Sequence, residues 1–428
     1  MRILIQNGYV LDPESKKEGH YDVLIENDKI IKVEQNISDL AEEILDASGC
    51  YVMPGFIDLH VHLRDPGLEY KETLETGGKA AARGGVTTVC AMPNTKPVID
   101  NGEKVLDVHN RAKKDSPVHV IQIGAVTIGQ QGEELADIEG MAKAGCHAIS
   151  EDGKSVMNAS LYRKAMKLAK DNDIAVFAHC EDITMVEGGV MNADDKAKSL
   201  GLKGITNAVE DVIVARDILI AKETGTQLHL CHCSTEDSVK MVDEAKKAGL
   251  PVTAEVCPHH FVMTTDDITE DHGNFKMNPP LRSKADVEAL KEGLRTDIMD
   301  VIATDHAPHS EEEKNTSMKN AMFGIVGLET MATLTFTELV DKDILTPMQM
   351  AEKTSYNPAK ILGLSDKGAI AEGKIADIVI FDPNREYKID KNTFFSKGKN
   401  TPFDGYPVKG DVKYTLVDGR IVYTNEAY

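Results

Sequence analysis

Positive charge is scarce in this 428-residue chain. Lysine and arginine number 48 against 70 aspartate and glutamate residues, which gives a formal net charge of −22 at pH 7. An acidic surface repels phosphate backbones, so we expect no nucleic-acid partner. Long apolar runs are absent as well, since no stretch approaches the ~20 apolar residues that a membrane-spanning helix needs. We therefore expect no membrane partner either.

Signals for secretion and for cross-links are also missing. Residues 1–8 lack the long apolar core and small-residue cleavage site of a signal peptide and are typical of a strand that enters a turn. The seven cysteines are odd in number and several lie in apolar runs, which predicts buried free thiols in a reducing compartment, the cytoplasm. Cys231 and Cys233 flank a histidine without a second CxxC-type pair, which disfavours a structural zinc knuckle.

The hydrophobic pattern of the chain differs between its two ends and its middle. Residues 1–54 and 367–428 are rich in short β patterns, and we predict that they join in one composite β-sandwich domain. In residues 55–366 short apolar runs alternate with amphipathic stretches, which predicts an α/β fold with eight strand–helix units, a (β/α)8 TIM barrel. The predicted barrel strands begin near Phe56, Val86, Val118, His147, Ile174, Gln227, Val252 and Val301, and the clearest helical stretches are 70–83, 160–170, 209–223, 235–248 and 285–297.

Metal-binding residue types lie where these strands end, which is where the active sites of such barrels form. His60 and His62 are two residues apart, so strand alternation turns both imidazoles to one face. Alone, such a pair is more often two polar residues on a solvated strand. Four histidines and two carboxylates at matching ends fit two divalent metal ions. One ion would take His60, His62 and Asp305, the other would take His179 and His232, and Asp152 would bridge them. Nitrogen and oxygen ligands without thiolate suit Zn²⁺, with Mn²⁺, Co²⁺ or Fe²⁺ as substitutes.

In this order the ligands resemble those of the amidohydrolase superfamily, and four longer stretches resemble the class I bacterial dihydroorotase family. The stretches are DLHVHLRDPG at 58–67, AMPNT at 91–95, EVCPHH at 255–260 and ATDHAPH at 303–309. The resemblance covers essentially the whole chain. It implies zinc-dependent, reversible cyclisation of N-carbamoyl-L-aspartate to (S)-dihydroorotate plus water, the third step of de novo pyrimidine (UMP) biosynthesis. It further implies two Zn²⁺ ions per subunit bridged by Asp152 and a nucleophilic hydroxide, with Asp305 as general acid and base.

A substrate with a free carboxylate needs a cationic partner. Arg64 lies two residues beyond His62 and should share its inward face, where the guanidinium offers a planar fork to a carboxylate. The alternative for Arg64 is a surface salt bridge. The resemblance implies further substrate contacts at His62, Asn94, Asn278, His309, Phe323 and Gly324. It also implies a homodimer and, as a further partner, aspartate carbamoyltransferase.

Several alternatives remain open at this point. Lys154 could be carboxylated and bridge the metals in place of Asp152, or Asp152-Gly153 could simply begin a turn. The chain could be another cyclic amidohydrolase (dihydropyrimidinase, hydantoinase or allantoinase) or an inactive scaffold of the same fold. We expect Glu151 to point away from Asp152. We also expect residues 310–323 to form a mobile loop over the site in which 311–314 are solvated, and we give His259, His260, His272 and His306 no role at the metals.

Overall fold

The structure is a computed structural model that describes all 428 residues. Its strands, in chain order, are β1 Arg2–Asp12, β2 Lys17–Glu26, β3 Lys29–Glu34, β4 Glu43–Asp46, β5 Tyr51–Pro54, β6 Phe56–Val61, β7 Val86–Ala91, β8 His119–Gln122, β9 Gly124–Ala125, β10 Ala148–Ser150, β11 Ala175–Ala178, β12 Met191–Asn192, β13 Gly204–Ile205, β14 Leu228–Leu230, β15 Val252–Val256, β16 Val301–Ile302, β17 Ile378–Lys388, β18 Pro407–Val417 and β19 Arg420–Thr424.

Thirteen α-helices accompany the strands. They are α1 Leu74–Arg83, α2 Gly102–Asp115, α3 Ile138–Lys143, α4 Ala159–Asp171, α5 Asp195–Leu200, α6 Ala208–Thr224, α7 Glu236–Lys247, α8 Pro258–Val262, α9 Lys284–Arg295, α10 Glu311–Lys314, α11 Met331–Thr335, α12 Pro347–Ala351 and α13 Asn357–Ile361. Two π-helical segments, Phe336–Val340 and Glu352–Tyr356, follow α11 and α12. No helix combines the length and the apolar character that crossing a membrane requires.

Eight parallel strand positions close into a barrel. β6, β7 and β8 pair in order, β9 continues the line of β8, and β9 pairs with β10, followed by β11, β14, β15 and β16. A bridge between Val61 and His306 joins the first strand to the segment after the last. Apolar side chains such as Leu59 and Phe177 fill the interior, and a larger apolar layer lies between strands and helices. The predicted barrel is confirmed, with each strand beginning within one residue of its predicted start.

The two ends of the chain meet in one sheet, which we call the end sheet. Its strand order is β19-β18-β17-β5-β1-β2-β3, with β4 paired to β1, so the C-terminal strands form one half of the layer and the N-terminal strands the other. The link between the two ends is the antiparallel pairing of β5 with β17, in which Pro54 lies opposite Ile378. The end sheet has its own apolar cluster. The limits 1–54 and 367–428 of a separate sandwich domain stay a prediction.

Local sequence signals explain one difference from the predicted elements. The first barrel helix begins at Leu74 rather than at residue 70, because Thr73 caps it: the Thr73 hydroxyl accepts from the Thr76 N–H and the Thr76 side chain faces the Thr73 N–H. Such a capping box ends the preceding loop and starts the helix. All seven cysteines are buried and unpaired, as predicted.

Candidate metal centre and substrate cavity

The six predicted metal ligands meet at the carboxyl-terminal end of the barrel. We call them the metal centre: His60, His62, Asp152, His179, His232 and Asp305. Each follows or ends a barrel strand, and the side chain of each is at most 10% exposed. Parallel strands bring their carboxyl ends to the same edge of the barrel, which explains why residues up to 245 positions apart become neighbours.

Asp152 occupies the middle of the metal centre. Its Oδ1 lies 3.1 Å from Nε2 of His60, 3.5 Å from Nδ1 of His179 and 3.6 Å from Nε2 of His232. Its Oδ2 faces the other way and lies 3.3 Å from Nε2 of His62. One carboxylate thus contacts all four imidazoles, which is the disposition that a bridging ligand requires.

Asp305 lies on the side of His60 and His62. Its Oδ1 is 3.2 Å from Nε2 of His62 and 3.5 Å from Nε2 of His60. Four ligands held ~2.1 Å from a tetrahedral metal ion lie roughly 3.4 Å from one another. The spacing of these nitrogen and oxygen atoms therefore fits a metal ion between them.

Unsatisfied polar atoms support the same fit. Nε2 of His60 and Oδ1 of Asp152 are both buried, and neither forms a hydrogen bond of acceptable geometry although they lie 3.1 Å apart. Buried polar atoms without partners are rare and costly in folded proteins. A cation that accepts both lone pairs removes that cost, so the donor set of the metal centre fits a divalent ion.

The electrostatics of the metal centre follow from burial and from the two carboxylates. Burial lowers the pKa of His60 and His179, but the nearby negative charges outweigh it. Asp152 and Asp305 raise the pKa of His60 well above its usual value, and Asp152 with Glu181 raises the pKa of His179 to about 10. Without metal, His60 and His179 therefore each hold an added proton, which a metal ion must displace on binding.

Three residues around the metal centre have left-handed backbone. The φ angles are 60° at Arg64, 35° at His232 and 48° at Asp305. Such conformations cost of order 1–3 kcal/mol for a non-glycine residue and persist only where neighbouring contacts enforce them. At His232 the enforcing contact is a 3.1 Å hydrogen bond from its N–H to Oε1 of Glu255. The backbone there is shaped to direct side chains into the site.

A cavity of about 570 Å³ opens beside the metal centre. Five of the six metal-centre residues line it, and His60 lies behind them. The predicted substrate residues line the same space: His62, Arg64, Asn94, Asn278, His309, Phe323 and Gly324. The structure therefore brings together every residue to which the sequence assigned a ligand or substrate role.

Arg64 is held in place at one wall of the cavity. Its Nε donates to the Pro308 carbonyl at 3.2 Å, and its Nη2 lies 3.2 Å from Nε2 of His309. Burial, together with the charges of Arg64 and Lys71, lowers the pKa of His309 to about 2, so this imidazole is neutral. At 8% exposure Arg64 is not the surface salt bridge of the alternative interpretation. This wall is suited to bind an anion.

Hydrogen bonds with Asn94 and Glu181 fix the orientation of other site residues. Oδ1 of Asn94 lies 2.9 Å from Nδ1 of His62, which leaves Nε2 of that ring facing the carboxylates. The amide of Asn278 donates to Oε1 of Glu181 at 2.8 Å, and Oε2 of Glu181 lies 3.5 Å from Nε2 of His179. Asn94 and Glu181 each join a metal-centre histidine to the substrate cavity.

Glu151 and Lys154 lie close to Asp152 in the sequence but outside the metal centre. Glu151 turns away, as strand alternation predicts, and its carboxylate accepts from the backbone N–H groups of Val126 and Thr127. Lys154 is exposed, does not line the cavity, and donates from Nζ to the Gln130 carbonyl at 2.8 Å. The arrangement favours Asp152 over a carboxylated Lys154 as the bridge.

The expectation that residues 311–314 are solvated is wrong at Lys314, whereas Glu311 and Glu312 are exposed as expected. The segment forms the short helix α10, and Lys314 is only 2% exposed rather than solvated. Nζ of Lys314 donates to the carbonyls of Lys276, Met322 and Gly324 at 3.0, 2.8 and 2.7 Å. Burial, with the charge of Lys276, lowers the pKa of Lys314 to about 7. Lys314 thus holds the backbone that forms the cavity wall, and the mobility of the loop stays a prediction.

Other residues that sequence reasoning missed are Glu181, Glu255 and Lys276. Glu181 and Lys276 line the cavity, whereas Glu255 lies fully buried behind it. A signal for Glu255 exists, because Thr253 and Glu255 alternate with apolar residues on a strand and must share one face. His306 was correctly placed away from the metals, since its Nε2 lies 3.3 Å from Oε2 of Glu72.

The chain is similar to known proteins over its whole length. The sequence model of the dihydro-orotase-like family matches residues 49–238. A protein named dihydroorotase from Pelotomaculum thermopropionicum is 48% identical over 422 residues, which is 99% of this chain and 98% of that protein. One of the same name from Acetivibrio thermocellus is 46% identical over 420 residues and 98% of each chain.

Solved structures of proteins named hydantoinase and dihydropyrimidinase have the same fold. The L-hydantoinase (dihydropyrimidinase) from Arthrobacter aurescens superimposes with a TM-score of 0.88 at 27% identity, over 99% of this chain and 96% of that one. The dihydropyrimidinase from Brevibacillus agri gives a TM-score of 0.87 at 25% identity, over 100% and 96%. Sequence identity to the proteins named dihydroorotase is much higher than to these hydantoinase and dihydropyrimidinase structures. The chain belongs to the dihydroorotase family.

Proposed function

We propose that the chain catalyses the reversible cyclisation of N-carbamoyl-L-aspartate to (S)-dihydroorotate plus water, the third step of de novo pyrimidine biosynthesis. One observation carries this proposal: a single cavity contains both the metal centre and the anion-binding wall at Arg64. A cyclic amide that bears a carboxylate needs both features, one at the reacting carbonyl and one at the carboxylate. The full-length relatives named dihydroorotase support the same activity.

The cofactor that we propose is Zn²⁺, two ions per subunit. His60, His62 and Asp305 would hold one ion, His179 and His232 the other, and Asp152 would contact both. Imidazole and carboxylate donors without thiolate suit zinc. When bound, the metal pair supplies Lewis acidity and lowers the pKa of water in the site from ~15.7 towards ~7.

Asp305 is the residue that we assign to proton transfer. It lines the cavity, and burial is outweighed by the charges of His60 and His62, so its pKa lies below the usual value and it rests as a carboxylate. In the hydrolytic direction Asp305 takes the proton of the attacking water and passes it to the leaving ring nitrogen. In the cyclisation direction the same atom moves the proton back.

The remaining cavity residues bind and orient the substrate. The guanidinium of Arg64, the amide of Asn94 and the neutral imidazole of His309 would hold the carboxylate, with His62 at the border with the metals. Asn278, which Glu181 keeps in position, and the backbone of Phe323 and Gly324 would contact the ring. A substrate fixed at both ends presents its amide carbonyl to the metal centre.

A hydantoinase or dihydropyrimidinase activity is the second candidate, favoured by the likeness to solved structures of those names. The anion-binding wall at Arg64 argues against these activities and against an allantoinase. With those substrates the wall would have no counterpart of the dihydroorotate carboxylate to bind. Turnover of dihydroorotate, dihydrouracil, hydantoin and allantoin, measured side by side, tests the choice. We expect dihydroorotate alone to react efficiently, and faster turnover of any other substrate contradicts the proposal. Absence of both bound metal and activity in folded protein would instead indicate an inactive scaffold.

Three further properties are proposed on the basis of the family resemblance. They are a cytoplasmic location, a homodimeric state and an association with aspartate carbamoyltransferase. Sedimentation analysis of the purified chain tests the dimer, with a monomer as the contradicting result. Co-purification from the native host tests the association.

A further inference from the structure

Glu255 lies behind the metal centre, outside the cavity and apart from every residue assigned to the substrate. Its side chain is 0% exposed. Its Oε1 lies 3.0 Å from Nδ1 of His60 and accepts a 3.1 Å hydrogen bond from the backbone N–H of His232. His60 and His232 belong to different metal ions in the proposed arrangement. One carboxylate oxygen therefore contacts ligands of both ions.

The second oxygen of Glu255 is held by another buried histidine. Its Oε2 lies 2.9 Å from Nε2 of His229, and Nδ1 of His229 lies 2.9 Å from Oγ1 of Thr253. The Thr253 hydroxyl can donate to Nδ1, and the N–H at Nε2 is then directed at the carboxylate. The side chains of His229 and Glu255 are 0% exposed, so water does not compete for the contact between them. The orientation of the carboxylate is thereby fixed.

The two contacts of Oε1 act on the ligands in different ways. At His60 the carboxylate accepts from the ring Nδ1, which leaves the lone pair of Nε2 directed at Asp152, 3.1 Å away. At His232 it accepts from the backbone of a residue whose φ is 35°. Left-handed backbone persists only where surrounding contacts enforce it. Glu255 thus orients the ring of one ligand and the backbone of the other.

We propose that Glu255, oriented by His229, is a positioning residue that holds ligands of both metal ions at once. This inference rests on the proposed metal-dependent function. Partners of metal-ligating histidines change metal affinity by roughly 10–100-fold. Because Glu255 contacts a ligand of each ion, its loss weakens both ions. Asn94 contacts only the ring of His62 among the metal ligands, so its loss weakens one ion.

The test measures zinc release from the full-length, zinc-loaded protein into a chromogenic chelator, with zinc content determined separately. In Glu255→Leu we expect both phases of release to accelerate by roughly 10–100-fold. In Asn94→Ala we expect only one phase to accelerate. The matched control is Glu329→Leu, another buried carboxylate, which contacts Arg83 and the backbone at Phe395 and Ser396 and none of the six metal-centre residues. Zinc release from Glu329→Leu should be as slow as from the parent protein.

A pair of variants at His229 keeps the test decisive if Glu255→Leu does not fold. His229→Gln retains an N–H donor for the carboxylate and should release zinc nearly as slowly as the parent. His229→Leu has no donor and should release it faster in both phases. Parent-like release from folded Glu255→Leu or His229→Leu, or acceleration of a single phase, overturns the inference. Failure of the parent protein to turn over dihydroorotate contradicts the proposed function instead, and leaves the release results intact.

Discussion

Two clusters of histidine and carboxylate lie at opposite ends of the barrel and have similar composition. The metal centre is at the carboxyl-terminal end of the strands. The second cluster is at the amino-terminal end, where His119 begins β8 and faces Asp377 and Asp418 of the end sheet. Nε2 of His119 lies 3.2 Å from Oδ1 of Asp418 and 3.7 Å from Oδ2 of Asp377. Both clusters have the spacing of metal ligands.

The clusters differ in where their positive charge comes from. Lys367 forms an ion pair with Asp377, and the side chains of His119 and Asp418 remain 33% and 34% exposed. Lys367 therefore gives the second cluster a permanent positive charge, and solvent reaches His119 and Asp418, although Nε2 of His119 forms no hydrogen bond of acceptable geometry. At the metal centre no lysine or arginine forms an ion pair with Asp152 or Asp305. Two buried carboxylates that face several histidines but no lysine or arginine are thus the better sign of a metal site than composition or spacing.

The largest expected effect is at Asp305 in the metal centre, where a substitution should lower turnover rather than protein stability. We expect Asp305→Asn to lower kcat by about 10²–10⁴-fold, because the amide cannot carry the proton, while its oxygen can still contact metal. Steady-state kinetics with dihydroorotate, combined with zinc analysis, checks this. Near-normal turnover in the zinc-loaded variant refutes the assigned role.

A smaller but specific effect is expected at the anion-binding wall. Arg64→Met keeps much of the side-chain volume and removes the charge. Hydrogen bonds to charged groups contribute ~1.5–3 kcal/mol, so kcat/KM for dihydroorotate should fall by roughly 10–100-fold, mainly through KM. Zinc content should stay unchanged, since Arg64 contacts Pro308 and His309 rather than a carboxylate of the metal centre. Parallel loss of zinc and of substrate affinity contradicts the proposed division of the cavity.

The contrast between the two barrel ends also shows what sequence could reveal. The metal centre was predictable because each ligand ends an apolar strand run, and strand alternation fixes its direction. The second cluster was not, since it joins His119 to residues of the end sheet some 260–300 positions away. Lys314 was missed for a related reason: a lysine among three glutamates is usually solvated, and only the fold brings three backbone carbonyls to its ammonium group.

Lys314 offers a prediction of intermediate size. Replacement by Met removes three hydrogen bonds to backbone carbonyls, those of Met322 and Gly324 on either side of Phe323 and that of Lys276, so this part of the cavity wall should loosen. We expect KM to rise about 3–10-fold with kcat less affected, which corresponds to a net contribution of ~1 kcal/mol. Lys319→Met, in the same loop but exposed, is the matched control and should leave KM unchanged. Equal KM values in the two variants contradict the role of Lys314.

The smallest effect is expected at the second cluster, and it should appear in stability alone. Burial opposes the charge of His119, but Asp377 and Asp418 outweigh it and raise the pKa of His119 to about 9. A folded-state pKa above the unfolded value of ~6.5 stabilises the protein fully below pH 6.5, and the stabilisation is lost as pH rises through 9. Because the side chains of His119 and Asp418 are one-third exposed, solvent screens their interaction and we expect only about 1 kcal/mol.

His119→Asn tests this expectation by removing the charge while keeping a polar side chain. Urea unfolding at a series of pH values should show the variant less stable than the parent at pH 6, with the difference shrinking to near zero above pH 9.5. Turnover at neutral pH and zinc content should match the parent, because the second cluster lies at the far end of the barrel from the cavity. A difference that persists unchanged at high pH would show that His119 stabilises by packing. Loss of zinc from the variant would instead show that the two clusters are energetically linked, and the separation between a cation-satisfied cluster and a cation-requiring one would no longer hold.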